Sequence, residues 1–291
     1  MPISVLSIVY TGNHQSGSGQ ILGVGATPRY NRFPSSEMLS MGIHQNLSSA
    51  TVFSSSRADA TVILFAPILP FLPMPDYAGR YMQITNRRGS GSEYDVNLFS
   101  SHGFNNMATS ALAVAPYRGS EVRLSFRDLF LQRWRDIIDD ELTGGARRDG
   151  DPVLTWEMWP SGISYLDSNR CYLKVHQNLD IEIHCWPDYE ASITYHIYLY
   201  LDGGGHLHGH VARWAYWIEG GAKADDIEDE LAPAVISGMG TLNAELAAQL
   251  GAYSSITCTD LFYLPGNQVS RPPTGVRTGF TTDDVTIVVE Y

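Results

Sequence analysis

The stretch Gly103-Phe104-Asn105-Asn106-Met107-Ala108-Thr109-Ser110-Ala111-Leu112-Ala113-Val114 is the segment whose residue types and spacing most directly indicate a structure. Its two adjacent asparagines favour a tight turn, because Asn tolerates left-handed backbone angles and its side chain bonds back to the main chain. Thr109 and Ser110 then place hydroxyl groups at the start of a strand. The turn is therefore rich in oxygen atoms, which are the ligands that hard cations prefer.

Residues 105–110 resemble the Greek-key signature of the βγ-crystallin family. The calcium-binding form of that signature has Asn or Asp at its first two positions and Ser or Thr, then Ser, at its last two. Three upstream segments are similar to other parts of such a key: a first strand at residues 61–65, an aromatic-x-Gly hairpin element at residues 77–81 and a connecting segment at residues 95–98. The resemblance implies an all-β sandwich of two Greek keys over residues 1–118.

A weaker copy of this motif lies earlier in the chain. Residues 42–52 align without a gap with residues 103–113, at a period of about 61 residues. An internal repeat constrains a fold more than a single motif does. In this copy His44 and Gln45 stand where the family has Asn or Asp, so one of the two calcium sites that the family forms departs from the pattern.

The resemblance also implies a set of calcium ligands. In this family each ion is held by both motifs, through a Ser or Thr hydroxyl and a main-chain carbonyl from one motif and loop oxygens from the other. The ligands that it implies here are Asn105, Asn106, Met107 through its carbonyl, Thr109 and Ser48. The alternative is a crystallin-like domain that has lost calcium binding.

The composition predicts a compact soluble protein. The chain has 291 residues, of which 44% are hydrophobic and 17% charged, so it is long and apolar enough for two domains with their own cores. Its net charge of −12 argues against nucleic acid as a partner, because phosphate contacts need a basic surface. Cys171, Cys185 and Cys258 show neither a disulfide framework nor zinc-ligand spacing.

The sequence shows no segment typical of membrane insertion or secretion. It contains no run of about 18 apolar residues, the length at which a membrane-spanning helix is expected. Residues 1–6 lack a basic region and a cleavage site, so they are predicted to form a first strand instead of a signal peptide. We therefore expect a cytoplasmic or released protein.

Residues 66–75 form an apolar, proline-rich segment inserted between two predicted strands of the second key. Its four prolines exclude a helix and a central strand. The apolar side chains that it carries are Ile68, Leu69, Phe71, Leu72 and Met74. Exposed apolar groups in such numbers are typical of a contact site, so the segment is predicted to bind membrane lipid or a protein partner. The alternative is a loop that folds back over a neighbouring domain.

Residues 119–291 are predicted to form an α+β domain in which long antiparallel hairpins pack on one or two long helices. Ser125 and Asp128 resemble a capping box at the start of a helix. The apolar face of that helix is Phe126, Phe130, Trp134, Ile137 and Ile138. A longer helix is predicted for residues 224–250, whose first turn carries the acidic residues that suit a helix dipole. The chain closes with a strand whose alternate residues, from Val285 to Tyr291, are expected to face inward.

Two hairpins are predicted between these helices. From Cys171 to Cys185 apolar and polar side chains alternate, and a turn centred on Asn178 would place the two cysteines opposite each other. Residues 194–217 alternate in the same way about the glycines at 203–205.

Three histidines follow the second of these turns at alternate positions. Residues at alternate positions of a strand point to the same side of the sheet, so His206, His208 and His210 form a candidate metal site. The alternative is an aromatic-rich face that binds solvent or an organic ligand without metal.

The sequence favours a non-enzymatic protein, because it contains no recognisable catalytic motif and no catalytic residue can be named. The preferred hypothesis is a calcium-binding protein, toxin-like or lipid-binding, that contacts a membrane or a partner through the apolar loop. The alternatives are a metal-dependent enzyme using the three histidines and a purely structural, calcium-stabilised protein.

Overall fold

The computed structural model describes residues 4–24, 30–54, 59–68, 79–89, 91–97, 99–115, 120–142, 145–158, 171–182 and 188–291. In chain order its elements are β1 (Ser4–Tyr10), β2 (Gly19–Val24), β3 (Tyr30–Phe33), α1 (Ser35–Ser40), β4 (Ser49–Phe53), β5 (Ala60–Ala66), β6 (Arg80–Asn86), β7 (Glu93–Val96), a 3₁₀ turn (Phe99–His102), β8 (Ser110–Val114), β9 (Glu121–Ser125), α2 (Phe126–Glu141), β10 (Ala146–Met158), β11 (Cys171–Ile181), β12 (Tyr189–Leu201), β13 (Leu207–Ile218), α3 (Ala224–Gly251), β14 (Asp260–Pro265), β15 (Gly275–Phe280) and β16 (Val285–Glu290).

The chain divides into two compact units. The first unit is Met1–Arg123 together with Thr259–Tyr291, and the second is Leu124–Cys258. The first is all-β apart from short helical turns and the second is α+β, so the predicted fold class is confirmed.

Two sheets build most of the first unit. Their strand orders are β2-β1-β4-β7 and β15-β6-β5-β8-β3. Buried side chains from both sheets, such as Val9, Val52, Leu64 and Ile84, belong to one hydrophobic cluster. Strand β5 is buried over its whole length, as a central strand with covered faces should be.

The predicted boundary between the domains differs from the observed one. We expected residues 1–118 and 119–291, but the C-terminal residues 259–291 belong to the first unit. Strand β15 pairs with β6, from Gly275 opposite Thr85 to Phe280 opposite Arg80, and β16 lies between β14 and β9. Every residue of β16 is buried, whereas Tyr291 is half exposed and does not continue its inward face.

The second unit is one antiparallel sheet, in the order β10-β11-β12-β13, with α2 and α3 in contact with it and with each other. Helix α2 confirms its prediction. The Ser125 hydroxyl accepts a hydrogen bond from the Asp128 N–H at 3.0 Å, and the expected apolar face is buried. Helix α3 is 28 residues long and contains Pro233 without being interrupted there. Among the described residues, no helix has both the length and the apolar character needed to cross a membrane.

The first predicted hairpin is wrong. Strand β11 runs without a turn through Asn178, which lies opposite Asp149 on β10 and Ser192 on β12. The alternation of inward and outward side chains continues past the predicted turn, and Gln177 occupies one of the buried, inward positions. Its amide group is satisfied there: Oε1 accepts from Trp134 Nε1 at 3.2 Å, and Nε2 donates to the Asn178 carbonyl at 2.8 Å. Without the turn, nothing places Cys171 opposite position 185, which lies outside the described residues.

The second predicted hairpin is confirmed. Strands β12 and β13 pair from Leu201 opposite Leu207 to Ala191 opposite Ile218, and the turn between them contains the three glycines. A bulge between His196 and Ile197 shifts the register.

Candidate calcium site in the paired turns

The two copies of the motif have the same backbone conformation. Gly42 and Gly103 have φ angles of 73° and 70°, and Gln45 and Asn106 have φ angles of 50° and 55°. Each pair is separated by the 61-residue period. Left-handed angles are uncommon for residues other than glycine, so their recurrence at matching positions shows that the degraded copy keeps the turn of the intact one.

The two turns bind each other through reciprocal main-chain hydrogen bonds. The Gln45 N–H donates to the Ala108 carbonyl and the Asn106 N–H donates to the Leu47 carbonyl, both at 2.8 Å. Because Leu47 and Ala108 are themselves equivalent positions, the pair has local two-fold symmetry. The turn at Gln45 therefore lies against the residue that precedes Thr109, and the turn at Asn106 lies against the residue that precedes Ser48.

This symmetry divides the predicted ligands between two half-sites. Ser48 follows Leu47 and so lies beside the turn of Asn105, Asn106 and Met107. Thr109 follows Ala108 and lies beside the turn that contains Gln45. The ligand set implied by the resemblance put Thr109 together with Asn106, although the 61-residue alignment already contained the signal that separates them.

The hydroxyl positions are held firmly and equivalently. The N–H of Ser48 donates to the Tyr10 carbonyl at 2.9 Å, and the N–H of Thr109 donates to the Phe65 carbonyl at 2.8 Å. Tyr10 and Phe65 both lie near the ends of the first strands of their keys. The Ser48 side chain is buried, the Thr109 side chain is half-buried, and the Thr109 hydroxyl donates to the Phe65 carbonyl at 3.3 Å.

The last serine of the motif has a structural role. The Ser49 hydroxyl donates to the Gly12 carbonyl at 2.6 Å and accepts from the Gln15 N–H at 3.2 Å, which ties the β1–β2 loop to the motif. Ser110 is the equivalent residue of the second key and is fully buried. These two serines are therefore part of the framework and not of a ligand set.

The remaining predicted ligands differ in exposure. Asn106 is exposed, whereas Asn105 and Met107 are half-buried, with the Met107 side chain packed against the core. Residues 42–49 and 103–110 contain no Asp or Glu. Any cation bound there would be held by neutral oxygen donors, which give calcium sites of low affinity.

The three histidines of the second unit take different partners. Asp202 carboxylate oxygens lie 3.3 Å from His206 Nδ1 and 3.1 Å from His208 Nε2, whereas the His210 ring packs edge-on against Tyr198 and Tyr200 at 5.6 and 5.7 Å. Across the described parts of the chain, no group of three or more His, Cys, Asp or Glu side chains is arranged to hold a metal ion. The expected three-histidine metal site is therefore not formed.

The Asp202 carboxylate is strongly held in its ionised form. The His206 N–H donates to it at 2.9 Å and the Gly204 N–H at 2.8 Å. These hydrogen bonds, the His206 N–H first, keep the pKa of Asp202 well below its usual range, and the His208 side chain acts in the same direction.

The predicted contact loop is described only at its start. Pro67 is buried and Ile68 is 47% exposed. Leu69, Phe71, Leu72 and Met74 lie outside the described residues.

No protein-family model and no curated protein matches this chain. The structure is similar to a solved structure described as "Evolution of the eye lens beta-gamma-crystallin domain fold". The similarity covers 40% of this chain and 90% of that chain, at 11% sequence identity and a TM-score of 0.25. It concerns a crystallin-like region of the fold and carries no statement about activity.

Proposed function

We propose that this chain is a non-enzymatic binding protein whose crystallin-like region is stabilised by calcium. The observation that carries the proposal is the reciprocal pairing of the two turns, which puts Ser48 of one motif beside the Asn105–Met107 turn of the other. A hydroxyl from one turn and amide and carbonyl oxygens from its partner form a mixed oxygen set, as calcium requires.

The two half-sites are not equal. The turn beside Ser48 carries Asn105 and Asn106, whereas the turn beside Thr109 carries His44 and Gln45. Imidazole is a poor ligand for a hard cation, and the Gln side chain is longer than the Asn that the family uses. The half-site of Ser48 and Asn106 is therefore the main calcium site of this proposal.

The expected affinity is low. Sites without carboxylate ligands belong to the weak end of the calcium range, with a Kd of about 10⁻⁴–10⁻³ M. At a calcium concentration ten times the Kd, binding to the native state adds about 1.4 kcal/mol of stability. For a unit of this size that corresponds to a rise in Tm of about 3–6 °C.

Thermal unfolding with and without calcium tests the proposal. All six tryptophans lie in the second unit, so far-UV circular dichroism reports on both units and tryptophan fluorescence reports on the second alone. Calcium should raise the Tm of the first unit, whose unfolding is seen by circular dichroism but not by tryptophan fluorescence. Magnesium at the same concentration should not raise this Tm.

Matched variants assign the effect to one half-site. Asn106→Gly and Gln45→Gly both place glycine, which adopts left-handed angles without steric cost, at equivalent positions of the two turns. Only Asn106→Gly removes a proposed ligand. Asn106→Gly and Ser48→Ala should abolish the calcium shift, and Gln45→Gly should keep it. A wild-type Tm that does not respond to 10 mM calcium would refute calcium binding.

We further propose that residues 66–75 contact a membrane or a protein partner, in a lipid-binding or toxin-like role. The five apolar side chains of the segment support the proposal, because exposed apolar groups in such numbers are typical of a contact site, and Ile68, the one that is described, is 47% exposed.

A further inference from the structure

Strand β13 is an edge strand, and its two halves differ in how the free edge is used. The sheet has the order β10-β11-β12-β13, so β13 pairs with β12 on one side only. In its first half the Val211 N–H donates to Asn243 Oδ1 of α3 at 2.7 Å, so the helix supplies a partner there. In its second half, at residues 214–218, no hydrogen bond from the rest of the described chain reaches the free edge.

One hydrogen bond gives the direction of the main-chain groups in this second half. The Glu219 N–H donates to the Glu190 carbonyl of β12 at 2.9 Å. Because N–H groups point alternately to the two sides of a strand, those of residues 213, 215 and 217 also point to β12. The extra residue of the bulge, Ala212, explains why the Val211 N–H points the other way. The N–H and carbonyl groups at the free edge therefore belong to Trp214, Tyr216 and Ile218.

The opposite edge of the same sheet is protected against pairing, whereas this half of β13 is not. Sheets protect their edges with charged side chains, with proline and with bulges. Strand β10 has all three, since it contains Pro152, a bulge between Asp149 and Val153, and charged residues such as Arg147 and Asp151. Residues 214–218 read Trp-Ala-Tyr-Trp-Ile and contain no charge, no glycine and no proline. An edge of this kind is a template for another strand.

We propose that the free edge of β13 pairs with the same strand of a second copy of this chain. The two strands lie antiparallel about a two-fold axis, so that the sheets of the two copies become continuous. Residues opposite each other must both direct their N–H groups to the partner or both direct them away. Only registers with an even sum of residue numbers satisfy this condition. The inference does not depend on the calcium site.

Charge and size select one of these registers, the one with Tyr216 on the axis. Arg213 of each copy then lies opposite Glu219 of the other, and opposite charges across two strands attract each other. Trp217, which is 55% exposed, lies opposite the exposed Ala215, so a large ring meets a small side chain. An axis at Ala215 would place Arg213 opposite Trp217. An axis at Trp217 would place the two Trp217 rings opposite each other.

The segment is therefore complementary to itself, which is the property that a two-fold interface requires. In this register Trp214 and Ile218 of one copy lie opposite Ile218 and Trp214 of the other, and the Tyr216 residues pair with each other. These residues exchange about six main-chain hydrogen bonds across the axis. A strand of unrelated sequence would make the same hydrogen bonds without the two Arg213–Glu219 pairs.

Sedimentation equilibrium of the full chain tests the proposal. Over a concentration range of about 5–200 µM the mass should rise from 32.1 kDa towards twice that value, because an edge of this length gives a small interface and a reversible dimer. A mass of 32.1 kDa at every concentration would overturn the proposal, and so would assembly beyond the dimer, since a two-fold interface closes on itself.

A charge exchange tests the register. Arg213→Glu and Glu219→Arg each turn two attractive pairs into two repulsive ones, so each should raise the Kd of the dimer about tenfold or more. The double variant Arg213→Glu/Glu219→Arg should restore the wild-type Kd. An equimolar mixture of the two single variants should form a mixed dimer. A double variant as weak as the single variants would overturn the proposal.

Matched variants separate the edge from general effects of charge and folding. Arg147→Glu makes the same charge change on β10, where the arginine side chain is 62% exposed, and should leave the Kd unchanged. Tyr216→Pro removes an N–H from the free edge and none from the pairing with β12, so it should abolish the dimer. Tyr216→Phe loses only the hydroxyl bond to Glu228 and should keep it. Circular dichroism should show each variant folded. Wild-type association of Tyr216→Pro would overturn the proposal.

Discussion

Gln83 and Gln268 form a reciprocal pair of amide hydrogen bonds inside the first unit, although 185 residues separate them. Gln83 Nε2 donates to Gln268 Oε1 at 2.8 Å, and Gln268 Nε2 donates to Gln83 Oε1 at 2.6 Å. Both side chains are buried, and Gln268 Nε2 also donates to the Pro265 carbonyl at 2.7 Å. The pair joins β6 of the crystallin-like region to the C-terminal segment.

Removing one amide of this pair should destabilise the first unit. Gln268→Leu leaves the polar atoms of Gln83 buried with fewer partners, at a cost of about 2–3 kcal/mol. Urea unfolding followed by circular dichroism measures the loss, and tryptophan fluorescence should show the second unit unchanged. The double variant Gln83→Leu/Gln268→Leu should cost less than the sum of the single variants. Strict additivity would show that the two amides do not stabilise each other.

The first unit should fold without the second but not without its C-terminal strands. A chain in which residues 1–123 are joined to residues 259–291 by a short Gly/Ser linker keeps strands β1–β8 and β14–β16 and the first three residues of β9. It should be soluble and unfold cooperatively. Residues 1–118 alone should aggregate, because they leave the edge of β6 and the Gln83 side chain without their partners. A folded, monomeric fragment 1–118 would contradict the observed division into units.

Tyr195 should make the second unit sensitive to alkaline pH. Its hydroxyl donates to the Val235 carbonyl at 2.6 Å, and burial, followed by the charge of Glu141, raises its pKa above the ordinary value. An unfolded tyrosine loses its proton near pH 10, whereas the native one keeps it. The native state then binds more protons, so stability is complete below about pH 10 and falls as the pH rises above it.

Tyr195→Phe tests this linkage. The variant should lose about 1 kcal/mol at pH 7, because the Val235 carbonyl loses a donor. Between pH 9 and pH 11 its stability should fall less steeply than that of wild type. Urea unfolding followed by tryptophan fluorescence reports on this unit alone. Parallel curves for the two proteins would show that Tyr195 does not contribute to the alkaline slope.

The apolar loop at residues 66–75 gives a prediction that rests on the sequence. Phe71→Ser/Leu72→Ser should weaken association with vesicles or a partner without lowering the stability of the fold, since each large apolar side chain transferred from water contributes about 1.5–3 kcal/mol. A loss of several kcal/mol in unfolding free energy would show instead that Phe71 and Leu72 are buried in the fold.

The sequence by itself determined the features that depend on neighbouring residues. The turn at residues 105–107 follows from its two asparagines, which accept left-handed angles, and the start of α2 follows from the hydroxyl of Ser125. The hairpin around the glycines at 203–205 follows from alternation on both sides of a flexible turn. In each case the physical cause acts over a few residues, so the local pattern contains it.

Only the tertiary structure decided which distant segments pair. Asn178 was predicted to be the centre of a turn, but it lies inside strand β11. Its neighbour Gln177 is buried there, with its amide oxygen satisfied by Trp134. The C-terminal strands belong to the first unit because β6 has an open edge and Gln83 needs a partner, which Gln268 supplies. Burial and hydrogen-bond satisfaction act between segments far apart in the chain, and no local pattern of residues records which segment will meet which.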